Sequence, residues 1–299
     1  MSKKQLEFCN VQGKPLRVMT FNLLTSTKKQ RSHPWRLRKR SVARIFNRYR
    51  PDVVGTQEAN LPQLLQLAEL LPDYEFLGEG NLSGTSLTHS VQNWYCAIFY
   101  RRETVRPAEE ESETYWLSST PEVPASQFHL GTRPRIATWH TFEQIATGRT
   151  FVFGTTHFEA INGRHRFKSS LLMRDYICNK LRELGQRVPL FLTGDFNAPV
   201  ESREIQTLCE HSGDPCHLFD AWLEAGSGDP FEGATFAGLG VRDRLGELIL
   251  GPRRIDYVFY RPQLPILNVQ KVDFDRLVSR DCARPSDHFP VVADFILNT

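Results

Sequence analysis

Hydrophobic residues in this chain come in short runs that end on polar residues, and the period of each run predicts its element. Leu16-Arg-Val-Met-Thr-Phe21 reads as a buried strand that stops at Asn22. From about Pro34 to Arg50 the period lengthens. Val42, Ile45, Phe46 and Tyr49 then share one face of a helix, which Pro51 ends. Asp52 to Gln57 is the next strand, with Glu58 at its carboxyl end, and Leu61 to Leu71 is a second helix bounded by Pro62 and Pro72. A strand-rich middle follows, at Tyr95 to Tyr100, Ile136 to Phe142 and Phe151 to Thr156, with His157 just beyond the last. Phe167 to Leu184 carries the helical stripe Met173, Ile177, Leu181 and Leu184, with Gly185 as its cap. Val188 to Thr193 is a strand that runs into Gly194-Asp-Phe-Asn197. Further strands fall near Arg254 to Tyr260 and Phe289 to Phe295. The stretch from Asp214 to Gly251, rich in glycine and without a period, reads as long surface loops.

Strands followed by helices in both halves predict a layered α/β architecture. The strand-heavy middle argues against a purely parallel doubly wound sheet and fits two packed mixed sheets with helices outside. No linker-like stretch divides the 299 residues, so one domain is expected, with its core at about residues 16–297. No run approaches the ~20 apolar residues of a membrane span, and the first thirteen residues are polar. The expectation is a monomeric cytoplasmic protein without a transmembrane segment. The six cysteines at 9, 96, 178, 209, 216 and 282 are widely spread, which speaks against a disulfide framework. Cys209, His211, Cys216 and His217 match no common zinc module.

A net charge of +3 is mild, but its distribution is not. Between Phe8 and Pro51 there is no acidic residue against 12 Lys or Arg. Its part from Lys28 to Arg50 has two readings. It holds a nucleic-acid backbone or anionic lipid, or it is the solvated face of the first helix.

The polar residues at strand ends carry the chemistry. Asn22, Glu58, His157, Asp195 and Asn197 stand at or just past the carboxyl ends of apolar strands. Asp256 lies in a strand, and Asp287-His288 precedes one. Sheets bring such groups to a common rim, where ligand sites of α/β proteins gather. The carboxylates Glu58, Asp195 and Asp287, with the amide oxygens of Asn22 and Asn197, are hard donors suited to Mg²⁺, Mn²⁺ or Ca²⁺. Asp195 is placed to activate water, and Asp256 to orient His288 as a cation beside a phosphate. Asn197, two residues after Asp195, points to the same side in extended backbone. Arg135 is either a substrate contact or a structural ion-pair partner.

Seven segments in order resemble the endonuclease/exonuclease/phosphatase superfamily. They are Val18-Met-Thr-Phe-Asn22, Thr56-Gln-Glu58, Pro134-Arg-Ile-Ala-Thr-Trp139, Thr156-His157, Thr193-Gly-Asp-Phe-Asn197, Arg254-Ile-Asp-Tyr-Val258 and Ser286-Asp-His288. The resemblance is strongest to its small bacterial metal-dependent hydrolases. It implies a four-layer α/β/β/α sandwich and a metal-dependent phosphoesterase, most simply a nuclease-like phosphodiesterase acting by attack of water. It also implies roles: Glu58 as main metal ligand with Asn22 and Asp287 near it, Asp195 activating water, Asn197 and His157 on the phosphate, and His288 with Asp256 at the transition state. Thr155 and Glu159 depart from the Asn and Asp usual beside that histidine. The implied partner is a phosphate-ester substrate, nucleic acid among the options. A phosphomonoesterase, a lipid phosphodiesterase and a non-catalytic binding module on the same fold are the rival readings.

Overall fold

The first strand alternates strictly. Leu16 and Val18 face one way, Met19 and Phe21 the other, and all four are buried. A strand buried on both faces needs a layer on each side. The computed structural model, which describes residues 14–26, 34–209, 213–226, 233–236, 253–262, 264–271 and 283–297, supplies both.

One mixed sheet has six strands: β1 (Pro15–Asn22), β2 (Val53–Gln57), β3 (Tyr74–Leu77), β4 (Ile98–Arg101), β12 (Ile266–Lys271) and β13 (Val291–Ile296). Their spatial order is β12-β13-β1-β2-β4-β3. The other sheet contains β5 (Val105–Pro107), β6 (Glu113–Trp116), β7 (Ile136–Gln144), β8 (Arg149–His157), β9 (Leu190–Asp195), β10 (Phe219–Asp220) and β11 (Asp256–Arg261). It is ordered β10-β11-β9-β8-β7-β5, with β6 also pairing with β7. The sheets pack through Leu16, Val18, Val53, Ile98, Phe153, Phe191, Val258 and Val291. Helices α1 (Trp35–Tyr49) and α2 (Leu61–Leu70) cover the first sheet through Val42, Ile45, Phe46, Leu64 and Leu67. Helices α3 (Gly163–Leu184) and α4 (Arg203–Cys209) cover the second through Met173, Ile177, Leu181, Ile205 and Leu208. The result is the expected four-layer α/β/β/α sandwich.

Gly55 lets the two sheets close, and Gly194 lets β9 lie close to β8 within the second sheet. A Cβ on Gly55 of β2 would lie 2.1 Å from Thr193 Oγ1 and 2.5 Å from Thr155 Oγ1, both on the facing sheet. A Cβ on Gly194 would lie 2.3 Å from the Thr156 carbonyl oxygen. Beside Gly55, the Gln57 amide donates across the gap to Thr155 Oγ1 at 3.0 Å and within its own sheet to Thr20 Oγ1 at 3.2 Å. Thr155 therefore belongs to a buried belt between the sheets.

Three sequence expectations need correction. Cys178 on α3 and Cys216 form a disulfide across 38 residues, because the fold brings their Cα atoms to 5.2 Å. The stretch from Asp214 is not all surface loop. It contains β10 and the short helix α5 (Ala221–Glu224), whose Ala221 and Trp222 join the core between the sheets. Residues 227–232 and 237–251 of that stretch lie outside the described residues. The basic face of α1 is not uniformly solvated either, since Arg38 is 0% exposed. The basic residues Lys28, Lys29 and Arg31 lie outside the described residues. Among the described residues no helix is long and apolar enough to cross a membrane.

Candidate active site

Strand register assembles one side of the site. In the second sheet His157 on β8 pairs with Asp195 on β9, and Asp195 pairs with Asp256 on β11. Three chemical side chains thus form one row across three strands. In the first sheet Asn22 on β1 pairs with Gln57 on β2, so Glu58 follows at the same rim. β13 runs antiparallel to β1, with Thr20 opposite Val291, so the chain entering β13 passes the end of β1. Ser286 fixes that approach, because its hydroxyl donates to the Asn22 carbonyl at 2.6 Å and accepts from the His288 amide at 3.2 Å.

The two rows meet at Asp195. Its Oδ2 accepts from Asn22 Nδ2 at 3.0 Å, and lies 3.4 Å from His157 Nε2 and 3.6 Å from His288 Nε2. Burial pushes its carboxyl up to about 7, against the lowering effect of His288. His288 Nδ1 is 2.9 Å from Asp256 Oδ2. Burial opposes charge on His288, but Asp256 and Asp195 outweigh it and raise its pKa well above the usual imidazole range. His157 goes the other way. Burial, with Arg135, His288 and Arg133 nearby, holds it well below that range and so neutral.

Glu58 accepts from the Thr25 amide at 3.1 Å and from Asn22 Nδ2 at 3.3 Å. Its enclosure by protein and the charge of Asp287 raise its pKa. Two mutually repelling carboxylates, with neutral donors to Glu58, make an oxygen-rich pair that suits a hard cation. Beside His288, the buried Asp256 Oδ1 has no hydrogen-bond partner among the described residues. Asp195, Asp256 and His288 also offer ligand atoms within 4.8 Å of one another. Two of those three groups already hydrogen-bond each other, so the Glu58–Asp287 side has the greater need of positive charge.

The structure thus brings Asn22, Glu58, His157, Asp195, Asp256 and His288 into one cluster, with Asp287 at its edge. Three named residues behave differently from the sequence expectation. The Asn22 amide nitrogen, rather than its oxygen, faces Glu58 and Asp195, and its oxygen accepts from Leu24 N at 3.0 Å. Asn197 does not continue an extended strand. It is left-handed at φ 49°, its amide donates to Asp195 Oδ1, and its side chain is tied to the Phe158 carbonyl at 3.0 Å. Arg135 takes the ion-pair reading, 3.4 Å from Glu159, and it also lines the small pocket that holds Glu58 and His157. Leu24, Glu58 and Asn197, all beside the cluster, are three of five described non-glycine residues with positive φ. Backbone strain of this kind gathers at functional sites.

Sequence reasoning passed over two participants, Trp94 and Arg133, and counted a third, Arg38, with the basic segment open to nucleic acid. Trp94 lines the same pocket, its ring within 6° of parallel to His157 at a centroid distance of 6.4 Å. Arg133 stacks on Trp94 at 3.7 Å. Arg38 lies beneath the site and donates to the carbonyls of Leu23, Leu24 and Pro285 at 2.6–2.8 Å. Arg38 therefore ties the loop after Asn22 to the loop before Asp287, and burial pushes its pKa down to about 10. It is not available to a nucleic acid. A tryptophan between Asn93 and Tyr95 and an arginine in a basic helix carry no local signal for these positions.

Known proteins share this architecture. The pattern of the Endonuclease/Exonuclease/phosphatase family matches residues 19–288. Mouse nocturnin is 23% identical over 320 aligned positions, covering 97% of this chain and 67% of its own. An endonuclease/exonuclease/phosphatase from Bacteroides vulgatus superposes with a TM-score of 0.74 at 26% identity, covering 94% of this chain and 98% of its own. A mannosyl-6-phosphatase from Bacteroides thetaiotaomicron superposes with a TM-score of 0.72 at 26% identity, covering 94% and 99%.

Proposed function

Because this chain belongs to the endonuclease/exonuclease/phosphatase family, we propose that it is a Mg²⁺- or Mn²⁺-dependent phosphodiesterase that cleaves its substrate by attack of water. The observation that carries this reading is Asp195 between Asn22 and two histidines of opposite character.

Glu58 and Asp287, with Asn22 orienting the former, are the residues to hold the cation. When bound, it neutralises phosphate oxygens and polarises phosphorus. Asp195 takes the proton of the attacking water. A carboxyl held near 7 is matched to general-base work at neutral pH. Asn22 Nδ2 orients the carboxylate by donating to its Oδ2. His288, kept cationic by Asp256, meets the negative charge that grows on phosphorus oxygens in the transition state. Neutral His157 hydrogen-bonds a non-bridging oxygen, and Arg135 supplies charge at the pocket wall. Asn197, tied to Phe158, fixes Asp195 through its own amide.

The test is hydrolysis of bis-p-nitrophenyl phosphate with Mg²⁺ or Mn²⁺, abolished by EDTA. A monoesterase is the second reading, favoured by the likeness to a mannosyl-6-phosphatase. Turnover of p-nitrophenyl phosphate without the diester would replace the first reading by the second. Inactivity on both, across metals, would leave a binding module.

A further inference from the structure

Cys178 and Cys216 have a third companion. One carboxylate oxygen of Asp214 and the two sulfurs all lie within 4.8 Å of one another. A cross-link needs two cysteines, and a third ligand atom at that distance is what a metal site adds. Spacing around Cys216 matches no zinc module because the other sulfur comes from α3, 38 residues away. The cluster is also remote from the catalytic rim. Cys178 stands about 22 Å along the axis of α3 from its first residue, Gly163, which follows the loop after His157.

The carboxylate is held in place before any cation arrives. Arg174 and Cys178 sit one turn apart on the same face of α3. Arg174 Nε donates to Asp214 Oδ2 at 3.0 Å, and the Cys216 amide donates to Asp214 Oδ1 at 2.8 Å. Carboxylates that bind metals are oriented by partners of this kind. The charges also cancel. Two thiolates and one carboxylate carry three negative charges, and a divalent cation with Arg174 carries three positive ones. That balance matters because both cysteines are buried. Thiolates are soft donors, which select Zn²⁺ over the hard Mg²⁺ or Mn²⁺ of the catalytic pocket.

We propose that Cys178, Asp214 and Cys216 form a redox-gated Zn²⁺ site, loaded when the disulfide is reduced and shut when it forms. A thiol reductant opens the cross-link. Two thiols RSH become one disulfide RSSR, and their two electrons and two protons pass to the sulfurs of Cys178 and Cys216. Zn²⁺ then displaces both thiol protons to water and bonds the two sulfurs and the Asp214 carboxylate, with water as the fourth ligand. The chain between the two cysteines carries β9 and with it Asp195. It is closed by a covalent bond in one state and by the metal in the other. The site does not depend on the phosphodiesterase reading.

Cobalt reads the site without turnover, because Co²⁺ bound to thiolate absorbs in the near ultraviolet and Co²⁺ bound to oxygen and nitrogen alone does not. Wild-type protein is reduced with dithiothreitol, freed of it under argon and titrated with Co²⁺. Thiolate–cobalt absorption should saturate at equimolar metal, and equimolar Zn²⁺ should abolish it. The oxidised protein should show none. Cys216→Ser should show none either, whereas Cys96→Ser, a free cysteine outside the cluster, should match wild type. Asp214→Asn keeps both thiols and should weaken cobalt binding by about tenfold or more, since losing even a residue that orients a ligand costs that much. This variant keeps the test decisive should Cys216→Ser fail to fold. No absorption from reduced wild type would overturn the proposal, as would absorption that persists in Cys216→Ser. Cobalt bound as tightly by Asp214→Asn as by wild type would remove the third ligand and the proposal with it. A disulfide that dithiothreitol cannot open in the folded protein would leave the pair a purely structural cross-link.

Discussion

Asp195 and His288 are each defined by the other's charge, so neither is replaceable by an isostere. Asp195→Asn keeps the volume and the Asn22 contact but loses the base. It is expected to lower kcat on bis-p-nitrophenyl phosphate by ~10²-fold or more while circular dichroism and the melting temperature stay close to wild type. Asp256→Asn removes the negative charge 2.9 Å from His288 Nδ1 that favours the cationic ring, and should lower kcat in the same direction. Near wild-type turnover of either variant would overturn the roles given to them. Arg38 offers a different prediction. Arg38→Met leaves the Leu23 and Pro285 carbonyls without this donor, and a buried orphaned acceptor costs about 1–3 kcal/mol. Urea unfolding should show that loss, and the salt dependence of polynucleotide binding should not change, since the side chain is fully buried. The catalytic candidates were legible in sequence because short polar residues stood where apolar strands ended. Arg38 was not, because a basic helix with one inward cation reads like any solvated helix. Asn197 was misread because extended backbone was assumed past Asp195, where the chain turns left-handed.

At the scale of elements, the site is split between two sheets, so its geometry depends on how closely they pack. Gly55 sets that distance beneath the rim. Gly55→Ala places a methyl against Thr193 and Thr155, an overpacking worth about 1–3 kcal/mol. Relief requires β2 to move off the second sheet, which carries Glu58 away from Asp195. The expected outcome is a lower melting temperature together with a fall in kcat larger than any change in KM. A fall in stability with kcat intact would show that the two halves adjust independently. Periodicity placed α1, α2 and the long strands to within a few residues. It missed β3, β5, β6 and β12, which are short or polar on one face. It also started α3 late, at Phe167 rather than Gly163. The added first turn is polar, and Asn162 caps it by accepting from the amides of Arg164 and His165. Pairing order and register, which align His157, Asp195 and Asp256, depend on contacts far apart in sequence and leave no local trace.

For the whole molecule, the pocket concentrates negative charge that folding alone does not balance, and this links stability to both pH and cation. The carboxyls of Asp195, held up to about 7, and of Glu58 are raised by the fold. Between about pH 4, where such groups ionise in an unfolded chain, and pH 7, these two carboxyls therefore hold more protons in the folded state than in the unfolded one. Their contribution to the stability of the cation-free protein falls as pH rises through that window, while His157 and His140, both held low by burial, act in the opposite direction. His288 adds to the trend of the carboxyls, because its raised pKa favours the folded state at low pH and that gain is lost as pH climbs through the folded value. A divalent cation binds the ionised carboxylates and offsets the loss, so its stabilising effect must grow with pH. Thermal unfolding with saturating Mn²⁺ and with EDTA should show a larger difference in melting temperature at pH 8 than at pH 5. Glu58→Gln should shrink that difference at pH 8. Equal gains at both values, or a gain that survives Glu58→Gln unchanged, would place the cation elsewhere and detach the acidic pocket from metal chemistry.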